Sequence, residues 1–169
     1  MNPGAHLAQI NIARLRAPID DPRTAEFVDG LERINALAEG ADGFIWRLQT
    51  EDGDATAIRA YDDDLIIVNM SVWTSLEALA DYVYRSGHVE FLRRRRDWFE
   101  PMAQAHHALW WIEPGHRPGV HEGKERLEHL HRHGPGPSAF TFREPFAATD
   151  PPAERGQRTD TRPPPFAIP

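Results

Sequence analysis

His88 follows a glycine and opens a helical run in which Leu92, Arg95 and Phe99 return to its face at helical spacing. An imidazole titrates near neutrality. It can take a proton from an acidic hydroxyl or ligate haem iron through a bare ring nitrogen. The plainer alternative is a histidine that only bonds a backbone carbonyl. Tyr84 lies one turn earlier, if the helix continues through Gly87. Asn69 and Trp73 share one face of a strand, and Asn11 lies on a neighbouring strand. Donors of this kind, aimed at developing negative charge, stabilise an oxyanion. Enclosed in a core, the same residues would only close a buried network. The candidate catalytic residues are His88, Asn69 and Asn11. Trp73, Trp110, Trp111, Arg95 and Tyr84 are the candidate substrate-binding residues.

Other clusters read more plainly. Arg93, Arg94, Arg95 and Arg96 point in all directions on a helix and cannot form one patch. Arg95 lies nearest the face of His88 and could hold an anionic group; the others suit a salt-bridged, solvated face. Asp62, Asp63 and Asp64 lack the ligand order of a calcium loop. Glu125, His129 and His133 share i, i+4, i+8 spacing, but no HExxH register is present and no metal site is expected. There is no phosphate loop, no GxGxxG and no Ser-His-Asp arrangement. The chain has no cysteine, which excludes disulfides, thiolate metal sites and a cysteine nucleophile. With 19 Lys and Arg against 26 Asp and Glu, the net charge of −7 gives no global case for nucleic acid. No apolar run approaches a membrane span and the N-terminus shows no leader pattern, so a cytoplasmic protein is expected.

These groups need a scaffold. Residues 7–15 alternate as a strand, with Gln9, Asn11 and Ala13 on one face and Ala8, Ile10 and Ile12 on the other. Asp21 and Pro22 start a helix carrying Phe27, Leu31, Ile34 and Ala38, and Gly40 ends it. Strands follow at 44–48 and 65–73, across a polar loop. Thr74 or Ser75 caps a second helix, Ser86-Gly87 interrupts it, and a further run over 88–100 stops at Pro101. Residues 106–112 form a fourth strand. Residues 120–133 form a charged helix anchored by Leu127 and Leu130, and 139–142 a short final strand. The β-α-β-β-α-β order predicts an α+β, ferredoxin-like sheet with helices on one face. The second face would carry tryptophans too large to leave in water. Two such sheets packed face to face give a homodimer, a dimeric α/β barrel with an added C-terminal helix and strand. This domain spans 1–144; 145–169 reads as a Pro-rich, disordered tail.

The segments Val72-Trp73, Ser75-Leu76-Glu77-Ala78-Leu79, Tyr84-Arg85-Ser86-Gly87-His88-Val89-Glu90-Phe91-Leu92, Arg93-Arg94-Arg95-Arg96-Asp97-Trp98-Phe99, Leu109-Trp110-Trp111-Ile112-Glu113-Pro114-Gly115-His116 and Ala139-Phe140-Thr141-Phe142 carry a resemblance. The chain resembles the uncharacterised family DUF3291, within the dimeric α/β-barrel, antibiotic biosynthesis monooxygenase-like superfamily, over roughly residues 6–146. The superfamily includes cofactor-free quinol monooxygenases, haem-binding enzymes, small-molecule isomerases and stress-response proteins, and fold does not choose among them. The resemblance implies a helix histidine, here His88, pointing into a cavity, with asparagine and tryptophan orienting a substrate. Three expectations follow. The first is a cofactor-free monooxygenase- or isomerase-like enzyme acting on a small aromatic or polyketide-like molecule. The second is a haem protein ligated by His88. The third is a filled, non-catalytic dimer that binds a partner.

Overall fold

Alternation over His6–Arg14 produces the central strand, β1. The computed structural model, which describes residues 4–148, pairs β1 antiparallel with both β3 (Ile66–Trp73) and β4 (His107–Ile112). Strand β2 (Phe44–Arg47) adds to the far edge of β3, giving the sheet order β2-β3-β1-β4. The class is α+β and the topology ferredoxin-like, as the element order predicts.

Helix α1 (Ala25–Glu39) is preceded by a single 3-10 turn, Pro22–Thr24. Asp21 caps that turn by accepting from the Arg23 amide at 2.8 Å. Helix α2 (Leu76–Arg85) starts at Ser75, whose hydroxyl accepts from the Ala78 amide at 3.0 Å. Its end is also made by a serine. The Ser86 hydroxyl donates to the Tyr82 carbonyl and accepts from the His88 amide. That closes one helix and starts the next, α3 (His88–Trp98), so Tyr84 and His88 belong to separate helices. Where α3 crosses α1, a Cβ at Gly30 would lie 2.0 Å from Cζ of Phe91, so only glycine allows this approach.

Residues paired across antiparallel strands share a face. One face holds Leu7, Gln9 and Asn11, with Trp73, Ser71 and Asn69 on one side and Trp111, Leu109 and His107 on the other. The opposite face holds Ala8, Ile10, Ile12, Val68, Met70, Val72, Ala108, Trp110 and Ile112, all buried. Helix α4 (Val120–His133) lies on it, with Leu127 and Leu130 in the same cluster. The backbone of α4 comes close at Gly123, where a Cβ would meet Met70 Cε at 2.8 Å and Ile10 Cδ1 at 2.9 Å.

Two expectations change. The aromatic face is not left open: α4 of the same chain covers it, and Trp110 is fully buried with its indole donating to Glu122 at 3.1 Å. The segment 139–142 is not a strand but makes isolated bridges, Leu109 to Phe140 and Gly136 to Ala139. Phe146, at the head of the expected tail, is held by its carbonyl, which accepts from the Trp111 indole at 2.7 Å. The rest of that tail, 149–169, lies outside the described residues. No helix among the described residues is long and apolar enough to cross a membrane.

Candidate functional site

Between the polar sheet face and α1, α2 and α3 lies a cavity of about 450 Å³. That volume suits a small organic ligand. Asn11, Asn69 and Trp73 line it from the sheet, and Tyr84, His88 and Arg95 from the helices. These six predicted residues thus come together.

The sheet wall carries a bonded row. Gln9 and Ser71 are 8% and 6% exposed, so their polar atoms need partners. Gln9 Nε2 spends both protons, one on Asn69 Oδ1 at 2.6 Å and one on Ser71 Oγ at 2.9 Å. The Trp73 indole donates to the same Ser71 oxygen at 2.8 Å. A hydroxyl oxygen accepts twice and donates once. Ser71 therefore keeps one proton to give, and Asn69, its carbonyl engaged, keeps its NH₂.

Opposite stands His88. Its Nδ1 lies 3.3 Å from the Val83 carbonyl. A carbonyl only accepts, so this bond places the ring proton on Nδ1 and leaves Nε2 bare. Burial lowers the His88 pKa, against the raising effect of the Val83 bond, so the neutral base form prevails at neutral pH. The ring packs on Tyr82 at 4.9 Å, and Tyr82 stacks on Trp73 at 5.1 Å. Tyr82 donates its hydroxyl to the Ile34 carbonyl at 3.2 Å, and burial raises its pKa. The wall behind the imidazole is thereby fixed.

A histidine pair, His106 and His107, lies at the β4 end. His107 stacks on Phe142 at 5.4 Å, and its Nε2 is buried with no partner. Burial, followed by the neighbouring His106, pushes its pKa down to about 4. His106 is lowered by burial and then by Arg95, whose Nη2 lies 3.3 Å from its Nε2. Tyr84, exposed at 40%, meets Phe142 edge-on at 5.5 Å.

Trp110 and Trp111 do not line the cavity, and their assignment to substrate binding is corrected. Trp110 points to the apolar face under α4, and Trp111 packs near Phe140 below the C-terminal segment. Alternation puts them on opposite faces, and the sequence does not show that the Trp111 end of the polar face is closed by residues 140–146. Gln9, Ser71, His106 and His107 are additions. The pairing register carries the signal for His107, because it lies directly across from Asn11.

The remaining clusters are structural. Arg94 pairs with Glu26 and with Asp97 at 3.2 Å, and lies over Trp98 at 4.8 Å. Asp63 bonds Arg14 at 2.8 Å. Glu125 faces His121 at 3.2 Å, while the His129 and His133 rings lie 4.6 Å apart. Among the described residues no group of three or more His, Asp or Glu is gathered to hold a metal.

Together these features define a ferredoxin-like α+β protein with a ligand-sized cavity between sheet and helices. The chain belongs to DUF3291, a domain of unknown function, whose family model matches residues 6–156. No curated protein matches it. Among solved structures it is similar to SnoaB, a cofactor-independent oxygenase from Streptomyces nogalater. The identity is 19% and the TM-score 0.46, covering 68% of this chain and 98% of that one. It is also similar to a dabb family protein with a ferredoxin-like fold from Mesorhizobium loti, at 16% identity and a TM-score of 0.40, covering 69% of this chain and 98% of that one. At these values the activities of those proteins do not transfer.

Proposed function

We propose that this protein is an acid–base enzyme acting on a small aromatic or enolisable molecule held in the cavity, with His88 as the base. One observation carries the reading. A neutral imidazole with a bare Nε2 shares a ligand-sized cavity with the spare protons of Ser71 and Asn69. His88 would take the proton of a phenolic or enolic hydroxyl. The developing oxyanion would then sit against donors already fixed by Gln9 and Trp73, at no cost of reorganisation. In an isomerase the resulting enolate is reprotonated at carbon, with the proton returned by the His88 imidazolium. In a cofactor-free monooxygenase the electron-rich anion itself reduces dioxygen. A cavity of this size with His88 in its lining counts against a filled, non-catalytic module.

The test is a panel of hydroquinones and 1,3-dicarbonyl compounds. Oxygen uptake and solvent-deuterium incorporation would be followed for the wild type and for His88→Ala. Turnover is expected to fall about 10²-fold or more in the variant. A variant at full rate would remove His88 from the chemistry. Haem ligation would use the same bare nitrogen, so haemin is titrated in parallel. A saturable Soret band that His88→Ala abolishes would replace the acid–base reading with iron ligation.

A further inference from the structure

The two ends of the cavity differ in charge chemistry. Arg95 reaches the cavity from α3 with its Nη2 3.3 Å from the Nε2 of His106. A guanidinium only donates, so this imidazole nitrogen accepts, and the ring carries its proton on the other nitrogen. The other arginine in the lining, Arg47, is paired with Glu39 at 2.8 Å. Arg95 has no carboxylate partner among the described residues. Asp54, the acid among the described lining residues, accepts from the Thr56 amide and hydroxyl at 2.8 and 2.6 Å. A carboxylate partner would orient Arg95 and cancel its charge. A neutral imidazole orients it and leaves the charge in place.

Beside this pair the strand register sets Asn69, Asn11 and His107 in a row. The side chain of Asn11 has no protein partner among the described residues, and Nε2 of His107 is buried without one. The backbone ties the two groups of residues together, since the Ile12 amide donates to the His106 carbonyl at 2.8 Å.

We propose that this end of the cavity is an anion subsite, and that the ligand carries a carboxylate seated on Arg95 with Asn11 as a second donor. The proposal rests on the reading of the cavity as a ligand site. It adds a substrate class: aromatic or enolisable acids rather than neutral phenols. The acidic group would also set the orientation of the ligand, leaving its reactive hydroxyl for the His88 end.

The experiment compares 2-naphthoate with its neutral isostere 2-naphthamide, binding each to the full chain at low ionic strength by intrinsic fluorescence quenching. Naphthoate is expected to bind about three- to tenfold tighter, as one charged hydrogen bond near a cavity mouth allows. Arg95→Gln should bring that ratio to about one, chiefly by weakening naphthoate, with a smaller effect on naphthamide. His106→Asp should do the same, because it supplies the carboxylate that Arg95 lacks. A wild-type ratio near one, or a preference that survives both variants, would overturn the subsite alone. Failure of both probes to bind would overturn the subsite together with the ligand-cavity reading.

Discussion

The two faces of one sheet have been put to opposite uses. Beneath α4 the side chains from Ala8 to Ile12, Val68 to Val72 and Ala108 to Ile112 that face the helix are apolar and buried, and the helix backbone lies close at Gly123. Beneath α1, α2 and α3 the same strands carry Gln9, Asn11, Asn69, Ser71 and His107, and the packing leaves about 450 Å³ open. The first face spends its area on close contact, which is where burial stabilises most. The second forgoes such contact and holds polar groups whose bonding is only part-filled by the protein. Stability and chemistry are thus separated across a layer one strand thick.

Substitutions on the apolar face should have the largest effect on stability. Trp110→Ala removes a fully buried indole and orphans its bond to Glu122. A loss of about 3–5 kcal/mol is expected in urea unfolding. Ligand affinity, measured on the fraction that stays folded, should change little. A loss below about 1 kcal/mol would mean that α4 does not seal this face.

The next effect comes from the polar face and depends on pH. His107 titrates near 6.5 in an unfolded chain but is held at about 4 when folded. Above the unfolded value both states are neutral, and its contribution is complete. As the pH falls toward the folded value, the unfolded chain takes up a proton that the folded one refuses, so stability is lost across that window. The loss is on the order of 2–3 kcal/mol between pH 7 and pH 4. Burial of His88 and His106 acts in the same direction. The urea midpoint of His107→Phe should drop less between pH 7 and pH 4.5 than that of the wild type. An equal drop would move the acid sensitivity elsewhere.

The apolar face and the element order were legible in the sequence because alternation and helical spacing are local signals. What covers the apolar face was not. Helix α4 shows few anchors, Leu127 and Leu130, and the glycine that lets it lie close has no side chain to advertise contact. On the other face, Asn69 and Ser71 stand out by breaking the apolar run of β3, Gln9 and Asn11 form the polar half of the β1 alternation, and His88 stands out at its helix start. His107 did not stand out, because its neighbours Ala108 and Leu109 read as strand and its place beside Asn11 follows from register. Trp110 and Trp111 show the limit of pattern: alternation separates them, but only tertiary packing decides which face each closes.

Within the polar row, structural and ligand-facing members should separate. Ser71→Ala strands two buried donors, Gln9 Nε2 and the Trp73 indole. A cost of about 1–3 kcal/mol follows from leaving such groups unpaired. Ser71→Thr keeps the oxygen and should recover most of it, as read by thermal unfolding. If Ser71→Ala is neutral, the row is not what holds the cavity wall.

Asn11 should give the smallest stability effect of all and is the sharpest check on the comparison. It stands at the centre of β1, between Asn69 and His107, where a core residue would normally be apolar and costly to change. Yet it is exposed to the cavity and has no protein partner among the described residues. Asn11→Ala should therefore shift stability by less than about 0.5 kcal/mol. The loss should appear instead in binding, as a weaker affinity for 2-naphthoate with a smaller effect on 2-naphthamide. A central strand residue that is free in the fold but needed by the ligand is what a cavity built for binding requires. If Asn11→Ala destabilises like a core substitution and leaves both affinities unchanged, the polar face is packing of a second kind, and the contrast between the two faces dissolves.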